Sequence, residues 1–320
     1  MSNFIESNSE ILFLYDAKRC NPNGDMDNEN KPRMDWEASR NLVSDVRLKR
    51  YVRDYLLKQK GKPIFVRKLG DEALIAKEAI SLYKLVHIDG KEESELKKDD
   101  LGKKEDYDIG KDVFGMSDIR MFGATIPIEV ESGQGSSSNF TGPVQFNWGY
   151  SLNRIDELQE SRTITSHLQT GRSSAGAGVG KDYRVNYSFI AFSGGVNARV
   201  AQATQMTPGD LDLLDEALIK SIPLNRTRSK IGQFPRLYLR VQMKDHTVAL
   251  NDLREFVELK SEGQEFELRD IKECSLDVSA LQTYLNDFKD EIDKVLYWKD
   301  RNLEITGLDF KQSLYESIEV

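Results

Sequence analysis

The first clear pattern along the chain is a continuous apolar run, ILFLY, at residues 11–15. A short apolar run bounded by polar residues is typical of a buried strand, so we predict a strand over Ile11–Lys18. Ser44 then predicts the start of a helix that reaches about Leu57. Apolar residues recur in it at helical spacing and indicate one buried stripe: Leu48, Tyr51, Val52, Tyr55 and Leu56. Gly61 and Pro63 are expected to end this helix.

Residues 64–118 are interpreted as an insertion, with a helix over Asp71–Val86. DIRMFGATIPIEV, residues 118–130, is predicted as a strand with a turn at Gly123, and alternation in PVQFNWGYS, residues 143–151, indicates another strand. YSFIAFSGGVNARVAQAT, residues 187–204, is predicted as a long strand that is interrupted at Gly194 and Gly195.

The last third of the chain carries a helix and a closing strand. Thr207 as N-cap, Pro208 at the first helical position and Asp210 two residues later predict a helix start. Arg236–Met243 is predicted as a strand. The acidic C-terminal part is predicted to contain a helix whose buried positions are Leu281, Leu285, Phe288, Ile292 and Val295.

The resulting order is strand, helix, extended pair, helix, strand. This order is the βαββαβ plan of an α+β fold, ferredoxin-like or RNA-recognition-motif-like (RRM-like). Many unrelated functions use that plan, so it does not by itself identify one.

Composition places the chain among ordinary globular proteins. Its 320 residues are 39% apolar and 31% charged, enough for one large domain or a domain with insertions. No stretch approaches the roughly 20 apolar residues of a membrane span, and the first residues are unlike a signal peptide, so we expect a cytoplasmic protein. Cys20 and Cys274, without a CxxC spacing, argue against a zinc ribbon or disulfide scaffold.

Charge is distributed unevenly, although the net charge is −8. Residues 245–320 hold 19 acidic and nine basic residues, whereas residues 38–68 hold ten basic residues against Asp45 and Asp54. Cations at a helix N-terminus are suited to phosphate, because the helix dipole adds a positive field. A solvated helix face is the simpler alternative for such a run.

The longest motifs resemble one known family. FLYDAKRCNPNGDMDNENKPRMD, followed by LVSDVRLKRYVRDYL, is similar to the amino-terminal signature of the Cas-seven family, and DIRMFG, FTGPVQFNWGYSLN and VNARVAQAT follow in the same order. Members of this family form the backbone of the CRISPR interference complex Cascade. The resemblance covers about residues 10–243 and looks most like the type I-B (Csh-two) branch.

The resemblance implies an RRM-like palm, a helical fingers insertion and a hairpin thumb. On this sequence the palm would comprise residues 1–60 and 185–320, with an acidic C-terminal helix. Fingers and connecting strands would take residues 61–164, and the thumb residues 165–184.

The family also implies partners. Copies of the chain would line up along one guide crRNA, which pairs with target DNA, and other Cascade subunits (small, large and end-capping) would join them. No cofactor, no metal and no membrane are implied, and the function would be non-catalytic RNA binding.

Several side chains are predicted to contact the guide RNA. Ser44, Lys49, Arg50 and Arg53 match the family's RNA-contacting helix start, and Val179 would lie at the thumb tip. The whole predicted set is Lys18, Arg19, Arg33, Ser44, Arg47, Lys49, Arg50, Arg53, Arg120, Phe122, Arg172, Val179, Lys181 and Arg184. Phe146 and Trp148 either stack on bases or belong to the core of an alternating strand.

The loop DMDNEN, residues 25–30, is the main catalytic alternative. It is similar to a calcium loop, but Asn30 stands where glycine is required and Trp36 where a bidentate glutamate is required. Asp25 and Asp27 could still serve a metal-dependent ribonuclease of the type III backbone kind. We interpret the loop instead as turn chemistry around Pro22-Asn23-Gly24 that shapes a surface.

Acid–base chemistry has few candidates. RNA cleavage near neutral pH usually needs histidine, and the chain has only His87, His167 and His246. His167, with Lys181 and Tyr183 nearby in sequence, would suit a processing endonuclease. A small-molecule enzyme on a ferredoxin-like fold is a further alternative without a convergent catalytic set. We therefore predict that the chain is not an enzyme.

Overall fold

The computed structural model describes residues 4–102, 108–128, 136–165 and 178–319. Within that part the strands are β1 (Ser9–Cys20), β2 (Gly24–Asp25), β3 (Lys31–Pro32), β4 (Met34–Asp35), β5 (Arg40–Val43), β6 (Lys68–Leu69), β7 (Glu72–Ala73), β8 (Gly123–Ile128), β9 (Ser136–Thr141), β10 (Val144–Phe146), β11 (Gly149–Ser151), β12 (Gln159–Thr165), β13 (Gly178–Val196), β14 (Gln233–Met243), β15 (Glu258–Ser261), β16 (Cys274–Asp277), β17 (Ile292–Lys299), β18 (Glu304–Thr306) and β19 (Tyr315–Ser317). The α-helices are α1 (Asp45–Lys60), α2 (Ala76–Tyr83), α3 (Ser117–Phe122), α4 (Ala198–Ala203), α5 (Pro208–Leu224) and α6 (Ser279–Asp287).

One large sheet organises the chain. Its strand order is β19–β17–β14–β1–β13–β11–β5–β4, and β10 and β12 also pair with β13. The central strand β1 is antiparallel to both neighbours, with Phe13 opposite Phe192 on β13 and Tyr238 on β14. A smaller sheet of β15, β16 and β18 lies in the C-terminal part.

Helices α1 and α5 cover one face of this sheet. All five predicted apolar positions of α1 are buried, and the helix ends at Gly61, whose φ of 61° favours glycine. Thr207 and Asp210 form a capping box at the predicted start of α5, with Pro208 in the first turn. The order β14–β1–β13–β11, with both helices packed on each other, is what a βαββαβ chain produces. The α+β class is therefore confirmed.

The C-terminal part covers the other face. Leu12 and Leu14 of β1 pack there in a buried cluster with side chains from residues 250–315, including Leu253, Leu276 and Leu281. Ile11, Phe13 and Tyr15 belong to the core under the helices. Strand β1 is thus buried on both faces, which explains its continuous apolar run.

Four predicted elements differ from the structure. Residues 118–122 lie in helix α3, not in a strand, and β8 begins only at Gly123. Strand β13 continues through Gly194 and Gly195 and gives way to α4 after Val196. These glycines do not break the strand; they leave room for Phe146, whose ring would be 2.3 Å from a Cβ on Gly194.

The C-terminal helix is shorter than predicted. Helix α6 ends at Asp287, and Ile292 and Val295 lie on β17, where they face the second core. The edge of β14 offers β17 a full ladder of backbone hydrogen bonds, so pairing outweighed the helical spacing of the apolar residues. The predicted helix over 71–86 is also divided, into α2 and a π-helical turn at Lys84–Ile88.

A third, smaller core lies within residues 80–126. It contains Ile80, Val113, Phe114, Met116, Ile119 and Ile126. These residues form a hydrophobic unit of their own, separate from the two cores of the large sheet. None of the helices in the described ranges is long and apolar enough to span a bilayer.

A buried ion pair joins α5 to the sheet. The Arg240 guanidinium lies 2.7 Å from the Asp215 carboxylate, and both side chains are buried. Replacing Asp215 with alanine should lower the free energy of unfolding by about 3–5 kcal/mol, because an unpaired guanidinium would remain buried. Urea denaturation measures this change.

The matched control is Arg50→Ala, which removes a more exposed pair with Asp54 at 2.8 Å. That change should cost less than about 1 kcal/mol. Equal losses in the two variants would contradict a structural role for the buried pair.

Candidate nucleic-acid interface

The end of β1, the start of β14 and an interior part of β13 meet at one end of the large sheet. Cys20, the last residue of β1, lies opposite Val185 on β13, and Gln233 at the start of β14 lies opposite Ala17. The loops that adjoin these ends are joined by a hydrogen bond of 2.8 Å from the Asn21 N–H to the Ser229 carbonyl. The N-terminus of α1 also borders this region, because the Ser44 hydroxyl donates to Asn23 Oδ1 at 2.9 Å.

A set of cations gathers there, and we call it the basic end: Arg19, Arg47, Arg184, Arg228 and Lys230. The Arg184 guanidinium donates to the carbonyls of Arg19 at 3.0 Å and Arg228 at 3.3 Å. Lys230 Nζ donates to the carbonyls of Asn21 at 2.6 Å and Pro22 at 3.1 Å. Side-chain donors therefore hold the loops in place, and the basic side chains are brought together from four distant parts of the sequence.

The basic end has little negative charge to balance it. Asp182 is shared by Arg184 at 2.7 Å and Arg228 at 3.5 Å. For Arg19, Arg47 and Lys230, the described part of the chain offers no ion pair with a carboxylate. Arg47 instead lies over the Tyr51 ring at 4.0 Å, and its buried Nε has no hydrogen-bond partner among the described atoms. The surplus positive charge favours an anion at this position.

The pKa of Lys230 reflects this surplus of positive charge. Burial, together with the nearby charge of Arg47, lowers the pKa of Lys230 to about 8, although the Cys20 thiol acts in the opposite direction. A lysine beside a carboxylate would shift the other way. A phosphate group here would stabilise the charged lysine and would also benefit from the positive N-terminal end of α1.

Four of the residues predicted to contact RNA take part in internal packing: Lys49, Arg53, Arg120 and Phe122. Lys49 is buried, with Nζ 3.1 Å from Asp45 and 3.0 Å from Gln145 Oε1. Arg53 donates to the buried Asp118 carboxylate at 2.8 Å and lies over the Phe122 ring.

Arg120 is similarly held, 2.6 Å from Asp210 and 2.7 Å from the Phe114 carbonyl. These contacts tie α1, α3 and α5 together. The RNA contacts predicted for these side chains remain predictions.

Other predicted side chains are exposed, but each has a carboxylate partner. Arg50 pairs with Asp54, Lys18 with Asp270, Arg33 with Asp25 and Lys181 with Glu29. Exposed pairs of this kind exchange readily with solvent and contribute little stability, so they remain open to competition by a phosphate.

The two aromatic candidates for base stacking differ in their exposure to solvent. Phe146 is buried in the core under the helices, whereas Trp148 is 46% exposed and lies beneath the Arg33 guanidinium at 5.8 Å. Arg172 and His167 lie outside the described residues. Val179 lies in the β12–β13 hairpin, with its backbone opposite Ile164.

The acidic loop is attached to the rest of the chain through ion pairs. Asp25 lies 3.2 Å from Arg33, and Glu29 accepts from Lys181 at 3.1 Å and from the Tyr183 hydroxyl at 2.9 Å. The bond from Lys181 and then that from Tyr183 lower the pKa of Glu29 to about 2. Among the described residues, no three metal-ligating side chains gather around one point. The arrangement fixes the loop against β13.

Sequence reasoning missed Arg228 and Lys230. Both lie in NRTRSK, residues 225–230, between the end of α5 and the start of β14. A basic run in a loop between a predicted helix and a predicted strand was a usable signal, because binding residues often lie on loops held by rigid elements. The proximity of this run to Arg47 follows from tertiary structure, because α1 packs on α5 and β14 pairs with β1.

The chain is similar to known proteins in sequence and in fold. The family model described as "CRISPR-associated protein Cas7" matches residues 7–279. The chain is also similar to a CRISPR-associated protein Cas7 of Haloferax volcanii. The identity is 32% over an alignment of 320 residues, and the alignment covers 93% of this chain and 88% of the relative.

Two solved structures share the fold. One, titled "CRISPR RNA-guided surveillance complex, pre-nicking", has a TM-score of 0.54 and 13% identity, with 98% of this chain and 96% of that chain covered. The other, titled "CRISPR RNA-guided surveillance complex", has a TM-score of 0.51 and 14% identity, with 98% and 95% covered. At this identity the similarity establishes the fold.

Lys230 provides a direct test of the electrostatics. Its folded pKa lies below the unfolded value, so the charged form opposes folding at pH 7 and stability rises as pH increases through 8. Lys230→Gln keeps an N–H donor and removes the charge. It should raise Tm at pH 7 by about 2–4 °C, and the difference should shrink towards pH 10.

Differential scanning fluorimetry measures both values. The control is Lys58→Gln on the exposed part of α1, which should leave Tm nearly unchanged at either pH. A lower Tm for Lys230→Gln at pH 7 would show that the lysine charge is well compensated, contrary to the structure.

Proposed function

The chain belongs to the family of CRISPR-associated protein Cas7, and we propose that it is a non-catalytic, RNA-binding backbone subunit of a type I CRISPR interference complex, Cascade. Copies of it would line up along one guide crRNA in the cytoplasm. The motifs of its amino-terminal half favour the type I-B branch.

The observation that carries this proposal is the basic end. Three of its five cations lack a carboxylate partner in the described part of the chain, and they border the N-terminus of a 16-residue helix. Single-stranded RNA presents one phosphate per nucleotide, so such a surface suits the backbone of the strand and needs no particular base.

The proposed path of the RNA follows from the fact that both faces of the large sheet are covered by other elements. RNA-recognition motifs stack bases on aromatic side chains of an open sheet face. Here one face lies under α1 and α5 and the other under residues 250–315. We infer that the guide passes the strand ends at the basic end, with Arg19, Arg33, Arg47, Lys181 and Arg184 within reach. Reading of sequence is then left to base pairing between guide and target DNA.

We propose that palm, fingers and thumb divide the chain at the bounds that the family resemblance implies. The large sheet with α1 and α5 would be the palm, made of residues 1–60 and 185–320. The separate small core between residues 80 and 126 supports a fingers unit within residues 61–164. The β12–β13 hairpin supports a thumb at residues 165–184.

Partners are proposed on the same grounds. The two structures that share the fold are named as RNA-guided surveillance complexes, which supports a place beside guide RNA and other subunits. Small, large and end-capping Cascade subunits would complete the assembly, and target DNA would be met through the guide.

Neutralising Arg47 and Arg228 together tests the proposal. The double variant Arg47→Gln, Arg228→Gln should bind single-stranded RNA at least about tenfold more weakly. The slope of log K against log salt should fall by about 0.7 for each lost phosphate contact. Fluorescence anisotropy over a salt series measures both quantities.

Lys58→Gln is the matched control, because it removes one exposed cation from the other end of α1. It should bind RNA as the wild-type chain does, and Tm should confirm that all variants are folded. RNA binding with an unchanged salt slope in the double variant would place the guide elsewhere.

A further inference from the structure

A second polar site lies at the opposite end of β1 from the basic end. It is an open cleft of about 340 Å³ between the sheet edge and the segment at residues 250–252. Glu10 lines it, nine residues before Arg19 on the same strand, so the two sites are roughly 30 Å apart. Gln145, Asn147, Ser193, Asn251 and Asp252 provide its other polar groups.

Strand β13 runs beside the cleft with Gly194 and Gly195, and the Phe146 ring fills the space in front of Gly194. Glu10 and Gln145 lie on either side of Gly195 in the strand register. A Cβ on Gly195 would lie 3.0 Å from Glu10 Oε2, and a Cβ on Gly194 would collide with the Phe146 ring. Glycine in a strand often marks close approach by another group, and here Gly195 leaves a slot in front of the Glu10 carboxylate.

Glu10 is the unbalanced group in this slot. No cation pairs with it among the described residues, and burial raises its pKa to about 7 despite a backbone hydrogen bond near Leu250, with Asp252 adding to the rise. The neighbouring cations are already engaged: Arg254 donates to Asp252 at 2.9 Å, and Lys49 is held by Asp45 and Gln145.

We infer that this cleft receives an arginine or lysine side chain from a second copy of the chain, with Glu10 as the ion-pair partner and the cleft amides as additional acceptors. A second copy is favoured because every copy carries an exposed arginine near the far end of the same strand, Arg226, which lies outside the basic end and has no carboxylate partner in the described part of the chain. A cationic end meeting an anionic slot is a head-to-tail contact, which builds open filaments and not closed dimers. This inference rests on the proposed function, since it names the contact between copies along the guide.

The test separates assembly from RNA binding. Glu10→Gln should raise the protein concentration needed for half-maximal assembly on a long guide RNA by about tenfold or more, the effect expected for a close charge pair across an interface. Affinity for an RNA that holds one copy should stay within about twofold. Analytical ultracentrifugation measures the first quantity and fluorescence anisotropy the second.

Stability and pH distinguish this role from a structural one. The folded pKa of Glu10 is above the unfolded value, so its ionised form opposes folding above about pH 5. Glu10→Gln should therefore have an equal or higher Tm at pH 8. Wild-type assembly should strengthen from pH 6 to pH 8 as Glu10 ionises, and Glu10→Gln should lose this dependence. Glu262→Gln, an exposed carboxylate of the C-terminal part, is the control and should assemble normally.

A second variant blocks the cleft without touching Glu10. Asn147→Cys can be labelled with a bulky maleimide, because Cys20 and Cys274 are buried. Labelled protein should keep its affinity for short RNA and lose assembly.

Normal assembly of Glu10→Gln would overturn the inference. Loss of short-RNA affinity on labelling would also overturn it, since the cleft would then take RNA. If the wild-type chain binds no RNA at all, it is the proposed function that fails.

Discussion

The central strand is the constraint on which the rest of the molecule depends. β1 is hydrogen-bonded on both edges and buried on both faces, so it cannot shift without exposing two cores at once. Its two ends are consequently held in fixed positions. The basic end lies at Cys20, and the Glu10 cleft lies at the start of the strand. A rigid strand between them makes their separation a property of the fold.

Charge has two different uses in this chain. Several cations on α1 and α3 that look available in the sequence are taken by Asp45, Asp118 and Asp210, and they hold helices together. The cations without such partners, Arg19, Arg47 and Lys230, lie around the end of β1. The structure thus separates cations that maintain the fold from cations that remain available to an anion. In a protein that binds a polyanion this separation matters, because stability then does not depend on whether RNA is present.

The chain's excess of negative charge lies in the C-terminal part. Residues 245–320 hold 19 acidic and nine basic residues, and Asp270 and Asp300 pair with Lys18 and Arg236 where this part covers the sheet. Covering the face removes the surface that RNA-recognition motifs use for base stacking. Under the proposed function the guide RNA is left with the strand ends, where the backbone of any sequence would fit equally well. That arrangement would suit a subunit that holds a guide and leaves recognition to pairing.

Sequence by itself determined the local elements with strong periodicity or clear caps. The apolar run of β1, the buried stripe of α1 and the capping box of α5 act over a few residues, so they could be predicted, and the α+β class followed from their order. The family motifs were visible for the same reason. The tertiary structure alone decided that Arg53 meets Asp118, because the two are 65 residues apart, and it also brought Arg47 beside Lys230. It also decided that Ile292 and Val295 belong to a strand, since the open edge of β14 supplies backbone partners that no local pattern reveals.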